Sequence, residues 1–333
     1  MPHQSHQPNL SDVAALAGVS PTTVSRVLNN RGYLSQQTKD KVAQAIEELN
    51  YRPNEVARSL LGQRTQMVGV IVPTVALPFF GELVAFLENA LTERGYRTLL
   101  CNSLGRAENE RDYLLQLEGN RVDGIISGAH NDTIAEYTTT RLPVVTVDRD
   151  LSPHIPTIRA NNLAGGREAT SLLLRSGSHH PALFTSRAGD HNKRETGYRQ
   201  VLKEAGIDPI VVTVMFGTPE PEKTRLIEAA LEEWADTIDG VFATDDLTAL
   251  TIVNWARRKG KRIPEDLRVV GFDGTAAIRT VTPWLSTVRQ PIREIAEAAV
   301  DRLIGMIEAQ PGETENLPLS LELPVTLIEG ETT

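Results

Sequence analysis

The chain is poor in cysteine, poor in aromatic residues and free of long apolar runs: one cysteine and 5% aromatics in 333 residues. A lone cysteine cannot close an internal bridge, which fits a reducing compartment. Cys101, inside Thr98-Leu99-Leu100-Cys101, reads as a small buried hydrophobe. No stretch reaches the roughly 18 apolar residues that a membrane-spanning helix needs. The phosphate loop GxxxxGK[ST], the dinucleotide turn GxGxxG and the nucleophile elbow GxSxG are all missing, so no catalytic residue and no cofactor are assigned. His179-His180 lack partners at metal-ligand spacing, and no metal is expected. Residues 1–9 are polar and carry no signal-peptide core. They read as a disordered lead-in, and the protein is expected in the cytoplasm, away from membranes.

What is present is ordinary globular composition, 40% hydrophobic and 23% charged, over a length that suits a small domain and a large one. The net charge of −9 argues against nucleic acid until it is divided. Residues 1–64 carry seven Lys/Arg against five Asp/Glu, and the rest carries 27 against 38. A slightly basic head on an acidic body is compatible with a DNA-binding head.

The head reads as three short helices. Leu10 to Ala17 places Val13, Leu16 and Ala17 on one face and ends at Gly18, which supplies a positive φ. Ser20 as N-cap and Pro21 at the first helical position start a second helix with a Val24, Val27, Leu28 stripe. A third is capped by Ser35 and packs through Val42, Ile46 and Leu49. Two short helices joined by a glycine turn make a helix-turn-helix or, equally by spacing, a plain helical hairpin. The second helix exposes Thr22, Thr23, Ser25, Arg26 and Asn29, groups that bond phosphates and base edges.

The residues decide between them. DVAALAGVS, TVSRVLN and LNYRPNEVARSL resemble the head of the LacI/GalR family of repressors almost end to end. The resemblance implies that Pro21, Thr22, Ser25, Arg26 and Asn29 meet DNA, with Ser20, Thr23 and Tyr33 completing the set. Pro21 and Thr22 match positions that vary with operator; Pro21 would read by apolar contact, as with a thymine methyl. Asn54, Ala57, Arg58 and Leu60 match the family's hinge helix, with Leu60 as the minor-groove wedge; ordinary packing at a domain junction is the other reading of Leu60. The domains expected are a helix-turn-helix at 10–52, a hinge helix and linker at 53–64, and a ligand-binding and dimerisation body at 65–333.

From residue 67 short β-branched runs alternate with amphipathic helices. Strands are expected at 67–72, 98–101, 124–127, 144–147, 182–185, 210–214, 240–243 and 269–272, and a helix at 79–94. Such alternation implies parallel sheets with helices on both faces, and some 260 residues of it imply two lobes. Ligands bind beyond the carboxyl ends of such strands, where polar groups recur: Asp148-Arg149, then Arg187, Asp190, His191 and Arg194, then Asp245-Asp246, then Asp273. Carboxylates and arginines beside an aromatic pair, Phe79-Phe80, suit a polyol. Each aspartate could instead cap the following helix, and Arg194 could be a solvated helix residue. Trp234, Trp255 and Trp284 read as core or interface.

The body also resembles the family throughout, in VPTVALPFFGELV, RVDGIISG, RETGYRQVLKEAGI, DGVFATDDLTAL and RVVGFDG. The fold class implied is a small all-α helix-turn-helix head plus an α/β two-lobed body with parallel sheets, similar to periplasmic sugar-binding proteins. Lobe one would hold about 65–161 and 292–323, lobe two about 162–291 and 324–333. By position Leu77, Phe79, Asp148, Arg149, Arg194, Phe216, Asp245 and Asp273 carry over as effector contacts, with Asp190 and His191 in a variable loop. Asp245 stands where the family often has Asn, and Gly274 where a second Asp is common. The function implied is a homodimeric repressor of carbohydrate genes that binds double-stranded operator DNA and answers to a sugar or sugar phosphate in the cleft. A transport-type sugar-binding protein and a purine-type corepressor-dependent regulator are the alternatives. The stretch RGYLS at 31–35 resembles regulators of sucrose or related operons.

Overall fold

The structure, a computed structural model, describes residues 8–28, 32–51, 64–128, 131, 134–189, 191–309 and 319–333. It divides into two compact units, Met1–Thr65 and Gln66–Thr333. Asn29, Asn54, Ala57, Arg58, Leu60 and Asp190, with most of the hinge segment, lie outside the described residues.

The first unit is built on helix caps. Helix α1 (Leu10–Ala17) starts at Asn9, whose side chain accepts from the Ser11 and Asp12 amides while Asp12 accepts from the Asn9 amide. This reciprocal pair satisfies donors that a helix start otherwise wastes. Gly18 ends it at φ 65°. Helix α2 (Pro21–Leu28) is capped by Ser20, whose Oγ accepts from the Thr23 amide. Helix α3 (Gln36–Glu48) is capped by Ser35 in the same way through Thr38. Val13, Ala14, Ala17, Val24, Val42, Ala45 and Tyr51 form the core. Leu16 does not join it: it is 46% exposed and Ala14 is buried instead. With only eight residues α1 turns a narrow stripe inward, and the small Ala14 lets the helices approach where leucine would hold them apart.

The second unit holds two six-stranded sheets. Lobe one is ordered β11-β5-β4-β3-β1-β2 and lobe two β12-β10-β9-β8-β6-β7. In lobe one the strands are β1 (Met67–Val72), β2 (Arg97–Asn102), β3 (Gly124–Ser127), β4 (Val144–Val147), β5 (Thr157–Ala160) and β11 (Ser320–Leu323). Helices α4 (Pro78–Glu93) and α12 (Ile292–Glu308) cover one face, and α5 (Ala107–Gly119) and α6 (Glu136–Thr139) the other. Along β1, Val68, Val70 and Val72 enter one core and Ile71 the other, as a strand buried on both sides requires.

Lobe two repeats the plan with β6 (Pro181–Thr185), β7 (Ile210–Thr213), β8 (Gly240–Ala243), β9 (Arg268–Asp273), β10 (Ser286–Arg289) and β12 (Thr326–Ile328). Its helices are α7 (Asn162–Arg175), α8 (Lys193–Ala205), α9 (Glu222–Glu233), α10 (Asp246–Arg258) and α11 (Ala276–Val281). Trp255 is fully buried and donates its indole N–H to Glu232, while Trp234 and Trp284 pack at the edge of the same core. Among the described residues all strand pairs are parallel except β10–β12.

Four strands carry no signal of the kind the others show. Thr157–Ala160 and Ser286–Arg289 each hold an arginine, and β11 and β12 are short sheet-edge strands with exposed residues. The chain passes between the sheets after β5, β10 and β11. The carboxyl ends of the central strands of both sheets open onto one cleft.

Candidate functional site

The cleft encloses about 810 Å³, within the range of small-ligand sites, roughly 300–1,000 Å³. Its lobe-one wall is the segment after β1. Leu77 ends the extended chain, Pro78 opens α4, and Phe79 and Phe80 turn inward with ring centroids 5.1 Å apart, edge to face. Both phenylalanines belong to the lobe-one core, so each packs with one side and lines the cleft with the other. Phe216, on the segment after β7, reaches across from lobe two: its ring lies 6.2 Å from Phe80 and packs against the lobe-one core. Asp148, at φ 72°, and Arg149 follow β4 and line the same cleft.

The lobe-two wall is polar. Arg194 sits in the first turn of α8, which Asn192 caps. Its Nε donates to Asn162 Oδ1 at 2.8 Å, and Nη1 donates to the Thr244 carbonyl at 2.5 Å and lies 3.6 Å from Asp273 Oδ1. The guanidinium stacks over Phe272, 3.8 Å from the ring centre. Arg194 is therefore held rather than solvated. Two glycines make this possible. A Cβ on Gly166 would collide with the Arg194 carbonyl, and one on Gly197 with the Leu163 carbonyl. The pair lets α7 and α8 cross backbone to backbone, which brings Arg194 to Asn162.

The aspartates divide by role. Asp245 caps α10, accepting from the Thr248 amide and hydroxyl, while also lining the cleft 4.0 Å from Lys223 Nζ. Asp273 caps nothing, since Thr275 caps α11. It accepts from Gln290 Nε2 at 2.8 Å, and burial pushes its carboxyl well above the usual range despite Arg194 nearby. Asp148 starts no helix either and accepts from Asn162 Nδ2 at 2.9 Å. Asp246, buried within the same wall, accepts from the Thr287 hydroxyl and the Gly274 amide. Burial pushes it up to about 7, with the Asp245 charge adding to the rise. Gly274 has little room for a side chain: φ is 55° and a Cβ would stand 2.7 Å from the Arg289 Cα. His191 lines the cleft and is exposed.

Asn162 and Lys223 also take part and were not singled out by pattern, while Thr244 and Asp246 join from the polar run that ends β8. Asp246 stood beside Asp245 with nothing in the local sequence to say which would be buried. Of the neighbouring glycines Gly165 and Gly166, Gly166 serves the helix crossing, while a Cβ on Gly165 would meet the Phe272 ring of the sheet beneath. Among the described residues no cluster of His, Cys, Asp or Glu could hold a metal.

In the first unit, Pro21, Thr22 and Arg26 are exposed on α2, Thr23 and Ser25 are half-exposed, and Tyr33 is 95% exposed. Ser20 and Thr23 bond each other through their hydroxyls at 2.9 Å. Arg26 lies along the turn at Gly32, where φ is 73° and a Cβ would stand 2.5 Å from Nη2.

Residues 9–54 match the model for bacterial regulatory proteins of the lacI family, and residues 170–333 match a periplasmic binding protein-like domain. The chain is 45% identical over 329 residues to a sucrose operon repressor of Pediococcus pentosaceus, covering 98% of this chain and 99% of that one. The chain belongs to the LacI family. Within the family it is also 39% identical to a ribose operon repressor of Halalkalibacterium halodurans, with 97% and 96% covered. Among solved structures the lac repressor dimer bound to operator and the anti-inducer ONPF superposes with a TM-score of 0.85 at 26% identity, covering 98% of this chain and 99% of that chain. The LacI-family architecture of helical head and two-lobed α/β body is therefore that of this chain. Among the described residues no helix is long and apolar enough to cross a membrane.

Proposed function

We propose that the protein is a homodimeric, operator-binding repressor of carbohydrate uptake or catabolism genes, working in the cytoplasm, whose DNA affinity is set by a sugar bound between its lobes. The observation that carries this reading is the pairing, in one chain, of a helix-turn-helix unit with a cleft whose walls hold Arg194 and Asp273 on one side and Phe79 on the other. A sugar offers hydroxyls in adjacent pairs and an apolar ring face. A guanidinium and a carboxylate bond the first, and aromatic edges cover the second. The relatives named for sucrose and ribose operons point to the same ligand class.

In this reading Pro21, Thr22, Ser25, Arg26 and Asn29 of each subunit enter a major groove, and two heads meet a roughly two-fold operator. Asn54, Ala57, Arg58 and Leu60 form the minor-groove element. Sugar and operator alter each other's affinity by the same factor, as linkage demands. In this reading the cleft holds its sugar without turning it over. A transport-type binding protein has no use for the helix-turn-helix unit. Fluorescence anisotropy on promoter DNA from the gene's own neighbourhood, with and without sucrose, D-ribose and their phosphates, tests the proposal. Specific binding that shifts with one sugar, left chemically unchanged by NMR, is the expected result. Equal affinity for random duplex in every condition would refute it.

A further inference from the structure

Asn162 stands where the chain leaves the lobe-one sheet for the first time. Strand β5 ends at Ala160, Asn161 caps α7, and Asn162 is its first residue, 9% exposed and lining the cleft. Its carboxamide bonds in two directions. Nδ2 donates to Asp148 Oδ1 at 2.9 Å, on the segment that follows strand β4 of lobe one. Oδ1 accepts from Arg194 Nε at 2.8 Å, on the first turn of α8 in lobe two. Arg194 passes the connection on to the Thr244 carbonyl and toward Asp273.

The chemistry of this position is narrow. A guanidinium only donates and a carboxylate only accepts, so the group between them must accept on one side and donate on the other. A primary carboxamide does both, and its partners dictate which end is oxygen. An aspartate would keep the bond to Arg194 and set two carboxylates against each other. An alanine would lose both bonds and leave Arg194 Nε without its partner.

We infer that Asn162 is the positioning residue that couples the two lobes: it holds Arg194 in place for the sugar and ties that placement to Asp148 of the opposite lobe. The inference rests on reading the cleft as the sugar site. A change in the angle between the lobes moves Asp148 relative to Arg194, and this amide is where the change is felt. Ligand contact on Arg194 and lobe orientation are then two ends of one hydrogen-bonded chain, with Asn162 at the crossover.

The experiment uses the full-length protein with sucrose, D-ribose and their phosphates as probes. Calorimetry gives sugar affinity, and anisotropy gives operator affinity with and without saturating sugar. The ratio of the two operator affinities is the coupling factor. Asn162→Asp keeps the bond to Arg194 and is expected to lose about tenfold of the coupling factor, a larger change than any it makes in sugar affinity. An acid in the first turn of α7 suits the helix start, so this variant keeps its fold. Asn162→Ala is expected to lose both affinity and coupling. The double change Asp148→Asn with Asn162→Asp restores a donor facing an acceptor, and Asn tolerates the positive φ at position 148; coupling is expected to return. A packing role alone would not produce that rescue. Full coupling in Asn162→Asp, or no recovery in the double change, overturns the inference while the sugar-site reading stands. If the unaltered protein takes up none of the four probes, the reading of the cleft falls and the inference falls with it.

Discussion

Lobe one and lobe two share a strand order and differ in what their strand ends carry. After β1 lobe one presents Leu77, Phe79 and Phe80, anchored in its own core. After β6, β8 and β9 lobe two presents Arg194, Asp245 and Asp273, each already engaged with a neighbour. The same strand order thus supplies an apolar surface on one side and fixed polar groups on the other. In the proposed reading, orientation of a ligand falls to the second lobe and coverage to the first, and Phe216 crosses between them. Holding the polar groups in advance matters, because a side chain that must be immobilised on binding costs affinity.

The comparison can be broken first through packing. Gly166→Ala drives a methyl into the Arg194 carbonyl and is expected to cost about 3 kcal/mol or more. Gly305→Ala in α12 of lobe one meets nothing within 4 Å and is expected to be neutral or stabilising by up to about 1 kcal/mol. Urea melts of the two variants measure the difference, and equal midpoints would show that the lobe-two helix crossing is not the tight one. Arg194→Ala comes next. Loss of a charged hydrogen-bonding group, about 1.5–3 kcal/mol, should weaken sugar binding about 10- to 150-fold and leave sugar-free operator binding unchanged. Calorimetry and gel shift read the two effects separately, and retained sugar affinity would remove Arg194 from the site.

Aromatic truncations sharpen the division further. Phe79→Ala should lower stability by about 3–5 kcal/mol, as a buried core ring. Phe216→Ala, half-buried on a loop, should lower sugar affinity with little change in melting. If the two behave alike, the bridging role of Phe216 is wrong.

Asp246 gives a pH test. Its folded value near 7 lies above the ordinary 3.8 because of burial, so the folded state keeps a proton that the unfolded chain releases. Stability is fully present below about 4 and is lost as pH rises toward 7. Asn at this position can still accept from Gly274 while Thr287 reverses its hydroxyl, so Asp246→Asn should flatten that slope. Asp273 is raised in the same direction, and part of the slope should persist. Denaturant titrations between pH 4 and 7.5 check the sign. The smallest effect is expected in the first unit. Gly32→Ala displaces the Arg26 guanidinium and should weaken operator binding about fivefold with sugar affinity unaltered; a loss that is undiminished in an Arg26→Ala background would separate the two residues.

Much of this was legible in the residues. The caps at Ser20 and Ser35 follow from side chains that bond their own local backbone, and the strand ends after Val72, Val147 and Ala243 follow from β-branched runs that stop at polar residues. Within the cleft, Arg194 and Asp273 were legible as types that recur after strands. Leu16 was misjudged because a helix of two turns has a stripe too narrow to fix from spacing alone. Asp245 was legible as a choice between cap and ligand contact, and its geometry serves both, since one carboxylate caps α10 from the rim of the cleft.

The sequence by itself determined the two kinds of domain, the alternation of strands and helices, and the places where polar groups end strands. These depend on periodicity and on local hydrogen bonding, both confined to a few neighbouring residues. Only the tertiary structure decided that Asn162 joins Asp148 to Arg194, that Gly166 and Gly197 permit the crossing beneath them, and that Asp246 rather than Asp245 is the buried acid. Each of these depends on residues 14 to 50 positions apart meeting in space, and that meeting is set by packing of whole elements, which no local pattern records.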